Sequence, residues 1–221
     1  MKGRETSLIL REATDPRDRL VALSFDDGPS VWTETILDAL RDHGARATFF
    51  VVGRSIAGRE GTLRRAFREG HEIGNHTTTH PNLSRKRAWS VRRELSATNS
   101  LISRTLGVAP RLFRPPYMAY TDTTLRVAGA QGLRWTVLDS ERVSPKDFRM
   151  EDPEAIAEEV VASIRPGAVV DLHDGRPPGE QSTATLPSRQ PTADAVPLIL
   201  ERLGASGYRF VTVSELFELS S

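Results

Sequence analysis

Leu20-Val21-Ala22-Leu23-Ser24-Phe25-Asp26-Asp27-Gly28-Pro29 decides the fold. Its first six residues form a short apolar run and read as a buried β-strand. The run ends in two adjacent carboxylates and a Gly-Pro turn. Charges that leave water need a partner, a metal or solvent. Paired acids at a strand end therefore mark a catalytic or metal site, unless they only form a solvated Asp-Gly turn. Outward from this strand, apolar runs alternate with amphipathic stretches. Strands are expected at 47–52, 72–75, 112–113, 133–138, 168–172 and 209–213. Helices are expected at 33–43, 63–69, 84–106, 120–130, 153–164 and 193–205. Such β-α alternation gives a mainly parallel sheet, open or closed into a barrel.

The polar clusters all follow strands. Asp26-Asp27 follows the first, Asn75-His76 the third, Arg114-Pro115-Pro116-Tyr117 the fourth, Asp139 the fifth and His173-Asp174 the sixth. The carboxyl ends of parallel strands share one face, where α/β proteins build their sites. His76 and His80 are spaced i, i+4, so on a helical turn their imidazoles share a side and chelate one ion. A carboxylate added to that pair leaves positions open for water and substrate. Neighbouring strand residues point in opposite directions, so one of Asp26 and Asp27 binds the ion and the other accepts a proton from water. Arg114 is placed to keep the accepting carboxylate ionised, and His173 to donate a proton. The plainer alternatives are a surface arginine and a buried histidine satisfied by Asp174.

Composition narrows the rest. A chain of 221 residues with 38% hydrophobic and 27% charged residues suits one soluble domain. The expected division is an N-terminal extension over 1–19 and a catalytic domain over 20–217. A net charge of +1 gives no case for nucleic acid or membrane as the main partner, and the arginines read as a solvated surface. There is no cysteine, which excludes disulfides and thiolate chemistry. No apolar leader is visible, so the chain as given reads as cytoplasmic, with secretion open if a leader was removed. Residues 175–192 are irregular and proline-rich, a loop expected either to close over a ligand or to be a disordered surface segment.

With these residues assembled, the sequence resembles the polysaccharide deacetylase family, the NodB-homology domain of carbohydrate esterase family 4. The resemblance rests on Ser24-Phe25-Asp26-Asp27-Gly28, His76-Thr77-Thr78-Thr79-His80, Arg114-Pro115-Pro116-Tyr117, Leu172-His173-Asp174 and the closing stretch 207–216. It implies an α/β fold of the distorted, incomplete β/α-barrel type. It also implies Asp26 as general base, Asp27, His76 and His80 as ligands of one divalent metal, and Arg114 as the residue orienting Asp26. The Tyr117 N–H then stabilises the oxyanion, Leu172 lines the acetyl pocket and His173 is the general acid. The implied ion is zinc, with cobalt, nickel or manganese as alternatives. The implied partner is an acetylated carbohydrate, a soluble or short one on the reading of 175–192. O-acetyl ester or other amide hydrolysis and an inactive glycan-binding relative are the competing readings.

Two departures stand out. Met118 replaces the family's frequent glycine and borders the substrate groove. The family's Asp-x-x-Asp-Trp motif is met only at Asp139, with Arg142 and Val143 in place of the second Asp and the Trp.

Overall fold

The computed structural model describes residues 8–9, 19–133, 135–136, 142–177, 179 and 187–218. Its strands are β1 (Leu8–Ile9), β2 (Leu20–Asp26), β3 (Ala47–Val51), β4 (Glu72–Asn75), β5 (Leu112–Phe113), β6 (Trp135–Thr136), β7 (Arg142–Val143), β8 (Val169–His173) and β9 (Arg209–Phe210). Its helices are α1 (Val31–Asp42), α2 (Gly53–Ile56), α3 (Glu60–Arg68), α4 (Ala88–Leu106), α5 (Asp122–Gly129), α6 (Pro153–Ser163), α7 (Gln190–Ala205) and α8 (Val213–Glu218). Every described ladder is parallel. The strand order is β1-β6-β5-β4-β3-β2-β8-β7, with β9 beside the start of β2. Among the described residues no ladder joins β7 to β1, so the barrel is incomplete, as the resemblance implies.

The period-2 alternation of β2 sorts its side chains into two layers. Val21, Leu23 and Phe25 pack with Val170 and Leu172 of β8 beneath the outer helices α1, α6 and α7. Leu20 and Ala22 face inward with Phe50 and Leu112, where α8 closes the base through Val213, Leu216 and Phe217. Ser24 and Asp26 continue the inner row, in register with Asp171 and His173 of β8. The interior is thus apolar at its base and polar at the carboxyl edge.

Several boundaries differ from the sequence reading. The strand expected at 209–213 stops at Phe210, because Thr212 and Glu215 form a reciprocal cap that starts α8. The long helix begins at Ala88 rather than 84, after a 3₁₀ turn over Leu83–Arg85. Leu8 and Ile9, expected in an extension, register with Trp135 and Thr136 at the sheet edge.

His71 gives this core a pH dependence. Its Nδ1 accepts the Ala47 N–H at 3.2 Å, and its Nε2 is buried without a hydrogen-bond partner. Burial pushes its pKa down from 6.5 to about 4. The unfolded chain therefore takes up this proton first as pH falls. Stability is intact above pH 6.5 and drains away toward pH 4, by about 3 kcal/mol for this group. Denaturant titrations at pH 7 and pH 4 should show that difference shrink in His71→Asn, whose amide oxygen sits where Nδ1 accepts from Ala47. An unchanged difference would clear His71 of the effect.

Candidate active site

The site is built at the carboxyl edge of the sheet by the segments that follow β2, β4, β5, β7 and β8. The first leaves β2 at Asp27, which turns away from the strand with φ of 78°. Asp174 clamps this turn: its carboxylate accepts from the Gly28 N–H at 3.0 Å and the Thr33 hydroxyl at 2.6 Å. A Cβ on Gly28 would lie 2.1 Å from that carboxylate, and one on Gly175 would lie 2.6 Å from the Asp27 carbonyl. Both positions need glycine for close approach. Burial pushes the Asp174 carboxyl up to about 7. Asp174 thus serves the turn and does not pair with the His173 ring.

The second loop carries His76 and His80. It is not the helical turn expected from their spacing. Thr77 and His80 have positive φ, the Thr77 N–H binds Asn75 Oδ1 at 2.7 Å, and the Thr77 hydroxyl takes the His80 N–H at 3.1 Å. Glu94 of α4 supports the loop by accepting the N–H groups of Thr78 and Thr79. His76 Nδ1 donates to the Arg114 carbonyl at 2.8 Å. A carbonyl only accepts, so Nε2 of the neutral ring carries the lone pair.

That lone pair faces carboxylate oxygen. His76 Nε2 lies 3.6 Å from Asp27 Oδ1 and 3.5 Å from Asp26 Oδ2, and His80 Nε2 lies 3.3 Å from Asp27 Oδ1. Asp27, His76 and His80 offer ligand atoms within 4.8 Å of one another. Burial keeps both imidazoles neutral, with pKa pushed down to about 3 for His76 and about 2 for His80. Burial also raises the Asp27 carboxyl well above the usual range, and its Oδ1 has no hydrogen-bond partner. Lone pairs converging on an orphaned buried oxygen fit a cation at their centre. Two imidazoles and one carboxylate suit zinc or a neighbouring first-row ion.

Both aspartates approach this point, so the expected opposition of their side chains does not hold: Asp27 has already left the strand. Their surroundings still separate them. Arg114 Nη1 donates to Asp26 Oδ1 at 2.8 Å and to Asp171 Oδ1 at 2.8 Å, while Nη2 donates to the Ser24 hydroxyl at 2.9 Å. Arg114 is wholly buried, with its guanidinium 4.1 Å from the centre of the Phe50 ring. Asp26 therefore faces a fixed cation, and Asp27 does not.

His173 stands on the other side, paired in register with Asp26. Its Nδ1–H donates to Asp147 Oδ1 at 2.9 Å and its backbone N–H to Asp147 Oδ2 at 2.9 Å. The Thr192 hydroxyl also donates to Oδ2, at 2.7 Å. Burial opposes a charge on His173, but Asp147 outweighs it and raises the pKa to about 10. The ring of Phe148 meets His173 edge-on at 4.8 Å. Sequence reasoning missed Asp147. Its signal was an acid followed by an aromatic, Asp147-Phe148, eight residues beyond Asp139.

The other expected site residues divide. Tyr117 lies in the turn Pro116–Met118 with its ring 4.6 Å from His80, and Met118 beside it is half-buried. Leu172 has no exposed surface and belongs to the main core; alternation puts Asp171 on the inner face with His173. Asp139 lies outside the described residues. Of the expected loop at 175–192, residues 190–192 open α7, and the Arg189 Nε–H ties to the Gly175 carbonyl at 2.9 Å. Residues 178 and 180–186 lie outside the described set.

Among the described residues, the non-glycine ones with positive φ are Asp27, Thr77, His80, Tyr117, Met118 and Lys146. The first five lie in the segments described above, and Lys146 directly precedes Asp147. Strained backbone gathered at one place marks a functional site.

Comparison with known proteins agrees with this geometry. The sequence model of a family described as polysaccharide deacetylase matches residues 13–136. The chain is 38% identical over 204 residues to a chitooligosaccharide deacetylase of Bradyrhizobium sp. (strain ANU 289), covering 90% of each. It is 33% identical to a peptidoglycan-N-acetylglucosamine deacetylase of Bacillus cereus, covering 90% of this chain and 69% of that one. Among solved structures, the Bc1960 peptidoglycan N-acetylglucosamine deacetylase in complex with 4-naphthalen-1-yl-N-oxidanyl-benzamide superposes with a TM-score of 0.82. It shares 29% identity and covers 97% of this chain and 94% of that one. The relatives it matches are named as deacetylases, and the chain belongs to the polysaccharide deacetylase family.

Proposed function

We propose that the protein removes the acetyl group from N-acetylated amino sugars in glycans of the chito-oligosaccharide or peptidoglycan type, with one divalent metal as cofactor. The observation that carries this is the meeting of three groups at the carboxyl edge of one sheet: the Asp27–His76–His80 cluster, the Arg114-held Asp26 and, in register with Asp26, the Asp147-held His173. An ion held by Asp27, His76 and His80 supplies carbonyl polarisation and a lowered pKa for nearby water.

The chain's own residues do the rest. Asp26 accepts the proton of the attacking water, and the Arg114 guanidinium orients it for that task. Asp171 and Ser24 position Arg114. The Tyr117 backbone N–H is assigned to the developing oxyanion. His173, cationic at neutral pH, gives its Nε2 proton to the sugar nitrogen as the C–N bond breaks. The products are acetate and a free amine. An amine leaves poorly without a proton, so a His173 that holds its proton at neutral pH favours an amide over an ester.

Acetate release from N-acetylglucosamine oligomers with zinc or cobalt present tests the reading. No release from any oligomer by metal-loaded protein overturns it. The same assay checks His173. Asp147→Asn removes the group that raises its pKa, so the alkaline limb of the rate profile should move to lower pH by more than one unit. A limb that stays in place means that His173 is not the acid.

A further inference from the structure

The chain's small net charge conceals a strong asymmetry. Between Gly53 and Arg111 there are twelve Lys and Arg residues against four Asp and Glu, a net of +8. The remainder carries eighteen against twenty-five, a net of −7. The reading of the arginines as a scattered, solvated surface misses this division.

The structure concentrates part of that charge beside the site. Arg54, Arg85, Lys86, Arg87, Arg92 and Arg93 are all exposed. Among the described residues none of them forms an ion pair, whereas Arg41, Arg46, Arg65 and Arg202 do. The first turn of α4 holds no acid to offset them. The only acid close by in sequence, Glu94, is buried and committed to Thr78 and Thr79.

Their position follows from two tethers. The Arg54 N–H binds the Thr78 carbonyl at 3.1 Å, which puts Arg54 against the His76–His80 loop. On α4, Glu94 marks the level of the same loop. Trp89 precedes it by five residues, so the helix start rises roughly 7 Å above that level toward the open rim, at 1.5 Å per residue. Arg85, Lys86 and Arg87 are the chain that climbs from His80 to that start. Trp89 is 62% exposed and carries the Arg93 guanidinium 5.6 Å from its ring centre. An exposed indole is an apolar platform for a sugar face.

We propose that this rim binds an anionic acetylated glycan, one whose sugars bear carboxylates, and draws its acetamido groups to the site beside it. The inference rests on the deacetylase reading for the identity of the chain that binds. Charge complementarity selects the anion. Continuity with the His76–His80 loop and the exposed indole select a glycan over nucleic acid. Unpaired cations around a cleft raise the encounter rate of an anionic substrate by about 10–10³-fold, and salt removes the effect.

The test compares two tetramers: one of N-acetylglucosamine, which is neutral, and one alternating N-acetylglucosamine with N-acetylmuramic acid, which carries carboxylates. At low salt the wild type should show kcat/KM about 10-fold or more higher on the anionic tetramer, with the advantage fading by about 0.5 M salt. Arg85→Glu/Arg87→Glu/Arg92→Glu should abolish the preference, its fold being certified by an unchanged far-ultraviolet spectrum and melting temperature. Equal rates in the wild type, or a preference that survives charge reversal, overturns the rim. If neither tetramer reacts, the deacetylase reading has failed, and calorimetric titration decides the rim separately. Salt-sensitive binding of the anionic tetramer alone supports it, and equal or absent binding refutes it. A short DNA duplex that binds more tightly than the anionic tetramer through the same arginines overturns the glycan assignment.

Discussion

Asp26→Asn is expected to keep its metal and to lose about 10²–10⁴-fold in turnover, the range of a general base. The argument starts from the division of partners at the strand end. Asp26 has Arg114 at 2.8 Å, while Asp27 presents an unpartnered oxygen to two imidazole nitrogens. An asparagine keeps the shape and still offers an oxygen to the Arg114 N–H, but it cannot take a proton from water. The stability cost should be small. Arg114 is shared by two carboxylates, so the variant leaves it paired with Asp171 and removes one buried charge. Arg114→Leu is the contrasting case. It strands Asp26 and Asp171 together in the interior and should cost about 3–5 kcal/mol. Steady-state rates, metal content and a denaturation curve for each variant are the measurements. If Asp26→Asn is depleted of metal while Asp27→Asn is not, the two roles are exchanged.

Much of this was legible in the sequence because the site lies where short apolar runs end. Strand ends are marked by abrupt polarity, and five such ends carried Asp, His, Asn or Arg. Glu72–Asn75 and Leu112–Phe113 fall where the sequence put them. Illegible were features set by long-range contact. The bend at Asp27 depends on Asp174, which is 146 residues from Gly28 in sequence. The i, i+4 histidines suggested a helix because spacing is local information. What converges them is Asn75, Thr77 and Glu94 holding an irregular loop. Asp147 escaped because the expected motif led to Asp139, and an Asp-Phe pair in a polar stretch says nothing by itself of a histidine 26 residues later. Leu172 was misplaced by one position. In a strand, one position is the whole difference between the core and the inner face.

Replacing any of Asp27, His76 or His80 by alanine is expected to abolish stoichiometric metal. Loss of a supporting partner outside the ligand set costs roughly 10–100-fold in metal affinity, and loss of a ligand should exceed that. The three residues are also built to hold an ion without prior rearrangement. His76 is locked by its bond to the Arg114 carbonyl, and His80 is held against it with ring centres 5.0 Å apart. Both imidazoles stay neutral far below pH 6.5 because burial disfavours their cations. Protons therefore compete for these nitrogens only in strong acid, and the proton competitor at this site is Asp27, whose carboxyl burial raises, so metal affinity should weaken as Asp27 takes up its proton. Binding to the folded state alone also stabilises it, by about 2.7 kcal/mol when free metal stands at 100 times Kd. Zinc should accordingly raise the melting temperature of the wild type and of Asp147→Asn, which leaves the ligand set intact. It should leave His76→Ala and His80→Ala unmoved. This readout needs no substrate, so it judges the metal centre apart from the chemistry. Wild-type stoichiometry and a wild-type thermal shift in both histidine variants would remove Asp27, His76 and His80 from the role of ligands, whatever their activity.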